Sequence, residues 1–146
     1  MAAHKYTSWG RTRRPKNIAG ADGTQITVIS SAPTTDSSVG NSTENQRFLH
    51  IWIDSSGTTD SIIVYGFNYA VGKWAALKVP LGDPAISGNP GAKAARTFDS
   101  AYVPVEIQGS TTEQHFIVEI AGIDRVAFFQ DGSTDTFTIY AACSTF

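Results

Sequence analysis

The chain has 146 residues, 41% of them hydrophobic and 16% charged, with a formal net charge of −2. That is enough for one domain with a real core, but too little charge, and too few Leu, Glu and Met, for a helical bundle. A single cysteine, Cys143, excludes an internal disulfide and fits a protein made in a reducing cytosol, and no apolar run approaches the roughly 18 residues of a membrane span.

The charge is unevenly placed. Residues 1–16 hold five of the eleven Lys and Arg and no acid, so this stretch is +5, while the rest of the chain keeps six bases against 13 acids and is −7. Pro15, Gly20 and Gly23 argue against a helix. Residues 1–23 therefore read as an extended basic N-terminal arm, and 24–146 as one β-sandwich domain. Tyr6 and Trp9 are costly to leave in water, and Arg11, Arg13 and Arg14 are fork-shaped donors suited to interfaces. With Lys16 they form the expected partner-binding set. The arm has no apolar stretch of the kind an export signal needs, so none is expected.

Strand signals follow in order. Gln25 to Ser30 alternates Ile26 and Val28 against Thr27 and Ile29. Residues 31–46 are a Ser/Thr/Asn-rich loop, long enough to be either mobile or laid across a partner. The Asn41-Ser42-Thr43 sequon within it reads as polar loop rather than as a glycosylation site. Arg47 to Asp54 is a strong strand with Leu49, Ile51 and Ile53 on one face and Phe48, His50 and Trp52 on the other. Apolar groups on both faces point to a central or interface strand. The turn-rich link Asp54 to Asp60 predicts a hairpin into Ser61–Ala70, and Val71-Gly72 turns into Lys73–Val79.

Residues 80–94 carry three prolines and three glycines and read as an irregular excursion. Ala101 to Gln108 is a strand whose Pro104 marks a sheet edge or a bulge. Gln114–Ile120, Arg125–Gln130 and Thr134–Ala142 complete the set, with Asp131-Gly132 as a hairpin signal. About eight strands at this spacing, with no helical period, predict an all-β protein: an antiparallel β-sandwich, jelly-roll-like.

Catalytic signatures do not assemble. His50 and Asp54 share a strand face, as do His115 and Glu119, but four residues along a strand is about 13 Å, too far for either pair to chelate. Asp54-x-x-Gly57-x-x-Asp60 lacks the alternating ligands and closing Glu of a calcium loop. Cys143 has no neighbour in sequence that would activate it. The expectation is a non-enzyme with no cofactor and no metal. Trp52, Tyr65, Phe67, Tyr69 and Trp74 would make a sugar-stacking platform if they shared an exposed face; otherwise they fill a core or a subunit contact.

The stretch Phe116–Phe129 (FIVEIAGIDRVAFF), followed by Asp131-Gly132 and Thr136–Ala142 (TFTIYAA), resembles the final β-hairpin of small β-sandwich virion proteins of tailed bacteriophages, of the capsid decoration (cement) type. The resemblance covers about a third of the chain and carries no site residue across. It implies a homotrimeric structural protein on the capsid exterior, assembled in the host cytoplasm and docked on major capsid protein subunits by its sandwich and arm. Neither a membrane nor a nucleic acid is expected as partner. The alternative reading is a carbohydrate-binding β-sandwich module of a phage tail or fibre.

Overall fold

The computed structural model describes residues 15–80 and 102–145, with the side chains of residues 79, 80 and 102 left aside. Every regular element among them is a strand. Eleven are present: β1 (Lys16–Asn17), β2 (Asn41–Ser42), β3 (Phe48–Ser55), β4 (Ser61–Asn68), β5 (Lys73–Ala76), β6 (Lys78–Pro80), β7 (Tyr102–Pro104), β8 (Glu106–Gln108), β9 (Gln114–Glu119), β10 (Arg125–Asp131) and β11 (Phe137–Ser144). One sheet runs β1-β11-β3-β9; the other runs β2-β10-β4-β5, with β8 on β4 as well. All strand pairs are antiparallel.

The two-residue period decides what lies between the sheets. In β3, Leu49, Ile51 and Ile53 are buried while Phe48, His50, Trp52 and Asp54 alternate outward. Opposite them in register, β11 buries Ile139, Ala141 and Cys143, and β9 buries Val118. The second sheet contributes Ile62 and Val64 from β4, Ile107 from β8, and Val126 and Phe128 from β10. The result is one largely aliphatic core, of which Phe128 is the largest fully buried side chain.

Two expected hairpins are not hairpins. β3 lies in the first sheet and β4 in the second, and β10 and β11 are likewise in different sheets. The links 56–60 and 132–136 are therefore arches across the sandwich. Asp, Gly, Ser and Thr suit an arch as well as a two-residue turn, so the local chemistry was the same. Such crossing of consecutive strands between the two sheets is that of an antiparallel β-sandwich. The last strand begins at Phe137 rather than Thr134 because residues 132–136 are consumed by the arch.

Gln25–Ser30 is not a strand of either sheet; its one β-bridge is Ile29 to Phe129. The Ile26 N–H donates to Ile139 of the first sheet (2.8 Å), whereas Ile29 exchanges bonds with Phe128 and Gln130 of the second. The segment closes one side of the sandwich by passing from sheet to sheet.

The expected strand Lys73–Val79 is broken at Leu77, and Ala101–Gln108 at Val105. There, three backbone bonds form a triangle: Val64 N–H to the Val105 carbonyl (3.0 Å), Leu77 N–H to Val64 (2.9 Å) and Val105 N–H to Leu77 (2.8 Å). The β4 edge is thus shared, with β5 on residues 65–68 and β8 on 61–63. β6 and β7 pair with each other beyond the fork, Lys78 opposite Pro104. Pro104 sits in this two-stranded ribbon, where a missing donor is tolerated. The excursion 80–94 falls largely outside the described residues.

Candidate interaction surfaces

Of the expected partner-binding set, Tyr6, Trp9, Arg11, Arg13 and Arg14 lie outside the described residues. Lys16 does not. Lys16 and Asn17 add to the β11 edge opposite Cys143 and Ala142, and the Ile18 N–H bonds to Ala141. The Lys16 ammonium donates to Glu44 at 2.7 Å, and both line a cleft of about 510 Å³ together with Asn17, Thr43, Gln46 and Cys143. Both partners are mostly exposed, so the pair adds little stability.

The far wall of that cleft is the turn after β2. Glu44 and Asn45 both have positive φ, 51° and 58°. Asn tolerates that region; Glu seldom does. Thr43 holds the turn in place: it is 1% exposed, its hydroxyl donates to the Ile123 carbonyl and its N–H to Asp124. The residue that completes the glycosylation sequon is therefore a buried anchor. Cys143 at the cleft floor is buried, and that burial, with the Glu44 carboxylate second, pushes its thiol up to about 12. It is a core residue, not a nucleophile. Iodoacetamide at neutral pH should leave Cys143 unmodified in the folded protein and alkylate it once denatured, with peptide mass as the readout.

The five aromatics that would make a platform on one exposed face are split: Tyr65, Phe67, Tyr69 and Trp74 gather on the second sheet and Trp52 lies on the first. Trp52 is on the outer face of the first sheet, and its indole stacks on the His115 ring at 4.3 Å and 9°. His50 lies beside both rings, 6.2 Å from His115 and 6.4 Å from Trp52, and its Nε2 meets the Ser144 hydroxyl at 2.7 Å. The rings are stacked on one another, so one indole face is already covered. No group of three or more His, Cys, Asp or Glu converges among the described residues.

Phe67 and Trp74 are buried on the outer side of the second sheet, with Ala127, beneath residues 29–40. Trp74 holds that segment twice, by its N–H to the Thr34 carbonyl and its indole Nε1–H to the Asp36 carbonyl, both 2.9 Å. Arg125 donates to the Val39 and Gly40 carbonyls at 3.0 and 2.7 Å. Gly40, at φ 70°, lies so close to the Val126 carbonyl that no side chain fits. Most of the loop expected to be mobile or spread on a partner is thus a strap over its own sheet. Tyr65 is half-buried against Phe129, and Tyr69 is 60% exposed with its ring edge-on to Phe67.

Comparison with protein-family models, with curated proteins and with solved structures finds no match for this chain.

Proposed function

We propose that this chain is a structural virion protein of the capsid decoration (cement) kind, docking on capsid subunits through its β-sandwich and its N-terminal arm. One observation carries most of this reading. The root of the arm is built into the sandwich, as β1 on the edge of β11, so the +5 segment is delivered from a fixed point on a −7 body. A basic segment tethered in this way is steered onto acidic neighbouring subunits, with Tyr6 and Trp9 as anchors. The carbohydrate-binding alternative needs free aromatic faces on one surface. Burial of Phe67 and Trp74, and the Trp52–His115 stack, weigh against it.

The test is location and attachment. Antibody against the chain should label the outside of the capsid shell on virions purified from the source. Chain lacking residues 1–14, which keeps β1, should fold but lose at least about tenfold in binding to shells that retain the intact chain. Labelling confined to tails supports the alternative, and equal binding by the truncated chain removes the arm from the mechanism. Absence from virions overturns both readings.

A further inference from the structure

The four lateral edges of the sandwich are not alike. β1 and β2 are two residues long, and β5 has four residues and opens on Lys73. These are the usual ways of blunting an edge against pairing. β9 is different. It has six residues, without Pro, Lys or a break in its register with β3, and no described strand pairs with its other side.

Which groups point outward follows from alternation. The Ile120 N–H donates to Arg47, so residues 114, 116, 118 and 120 direct their backbone groups to β3. His115, Ile117 and Glu119 then direct theirs to the open edge. The same three carry exposed side chains on the outer face, Ile117 being 60% exposed.

We propose that β9 pairs antiparallel with β9 of a second copy about a two-fold axis at Ile117, joining the two four-stranded sheets into one. In this register Ile117 faces Ile117, and His115 faces Glu119 of the second copy, twice by symmetry. All outward N–H and C=O groups of His115, Ile117 and Glu119 find partners. The inward face matches too: Phe116 comes opposite Val118, extending each core across the seam. A register centred on Phe116 would set His115 against Ile117 and lose both His115–Glu119 pairs. The strand is thus complementary to itself in backbone groups, in the donor–acceptor pairing of His115 with Glu119, and in apolar surface. This contact uses no residue of the arm and does not depend on the virion reading.

An edge contact of this length is small, so an affinity around 10 µM is expected. Sedimentation of the intact chain at about 100 µM should show a dimer, and Ile117→Lys should weaken association at least about tenfold by setting like charges together at the axis. Opposed Cα atoms at a hydrogen-bonded pair lie about 5.5 Å apart, within disulfide reach. Ile117→Cys should therefore form a disulfide-linked dimer on mild oxidation, whereas Tyr69→Cys, exposed at the β4–β5 turn, should not. A monomer at that concentration overturns the proposal. So does the trimer that the family resemblance implies, if Ile117→Lys leaves it intact. A dimer in which Ile117→Cys fails to cross-link overturns the register.

Discussion

Replacing Trp74 with alanine should lower the melting temperature by about 10 °C, corresponding to roughly 3 kcal/mol for loss of a large buried aromatic. The expectation rests on what the indole joins. Its ring contacts Phe67 at 5.2 Å, and its Nε1–H holds the Asp36 carbonyl. Removing it opens a cavity on the outer side of the second sheet and releases the middle of the strap. The effect should therefore be local as well as global. Amide exchange across residues 30–40 should quicken far more than exchange in β3 or β11, where the main core is untouched. Trp74→Phe separates the two contributions, keeping most of the apolar area and losing the indole donor. It should fall between wild type and Trp74→Ala. Uniform loosening of both sheets by Trp74→Ala would show that the strap and the main core form one cooperative unit.

Strand identity was legible where one chemistry governed the whole segment. β3 announces itself by strict alternation, and both its faces are as read, Leu49, Ile51 and Ile53 inward, Phe48, His50 and Trp52 outward. Connectivity was not legible, because an arch and a hairpin ask the same of Asp, Gly, Ser and Thr. Only long-range partners distinguish them, and those are Asp60 and Asp135, 75 residues apart in sequence. Residues 25–30 look like one strand in the sequence because Ile26 and Val28 alternate with Thr27 and Ile29, yet Ile26 and Ile29 answer to different sheets. The strap was misread for a similar reason. Its composition is polar because its contacts to the sheet are mostly backbone carbonyls, accepting from Trp74 and Arg125. Among the candidate binding residues only Lys16 falls in the described region, and its Glu44 partner comes from a turn whose φ values no composition rule reveals. The edge position of β9 among the described strands also escaped the sequence reading. QHFIVE gives a strand, but only the sheet order makes it the last one.

Asp60→Asn should lower the melting temperature by about 5–10 °C at neutral pH and flatten its fall in acid. The carboxylate, 4% exposed, sits where the two arches meet. Its Oδ2 accepts the N–H groups of Thr134 and Asp135 at 2.7 and 2.8 Å, and the Gln130 Nε2–H at 2.8 Å. Asp135 returns the arrangement: its Oδ2 accepts the N–H groups of Thr59 and Asp60, both at 2.8 Å. Each arch is thereby capped by an acid from the other, and Gly132 packs against the Asp60 carboxylate with no room for a Cβ. The backbone N–H of Asp135, ahead of the Gln130 and Thr134 bonds, holds the Asp60 carboxyl below its ordinary 3.8 against the opposing effect of burial. A carboxylate depressed in the folded state stabilises fully above its unfolded value and loses that contribution as pH falls through the folded one. Wild-type stability should therefore drop below about pH 3.8 partly through this group. Asn cannot titrate, so the gap between wild type and Asp60→Asn should narrow as pH falls from about 6 toward 2. Thermal unfolding followed by far-UV circular dichroism across that range gives the comparison directly. A gap that stays constant with pH would mean that the two arches are held by shape and backbone bonds alone, with the Asp60 charge contributing nothing.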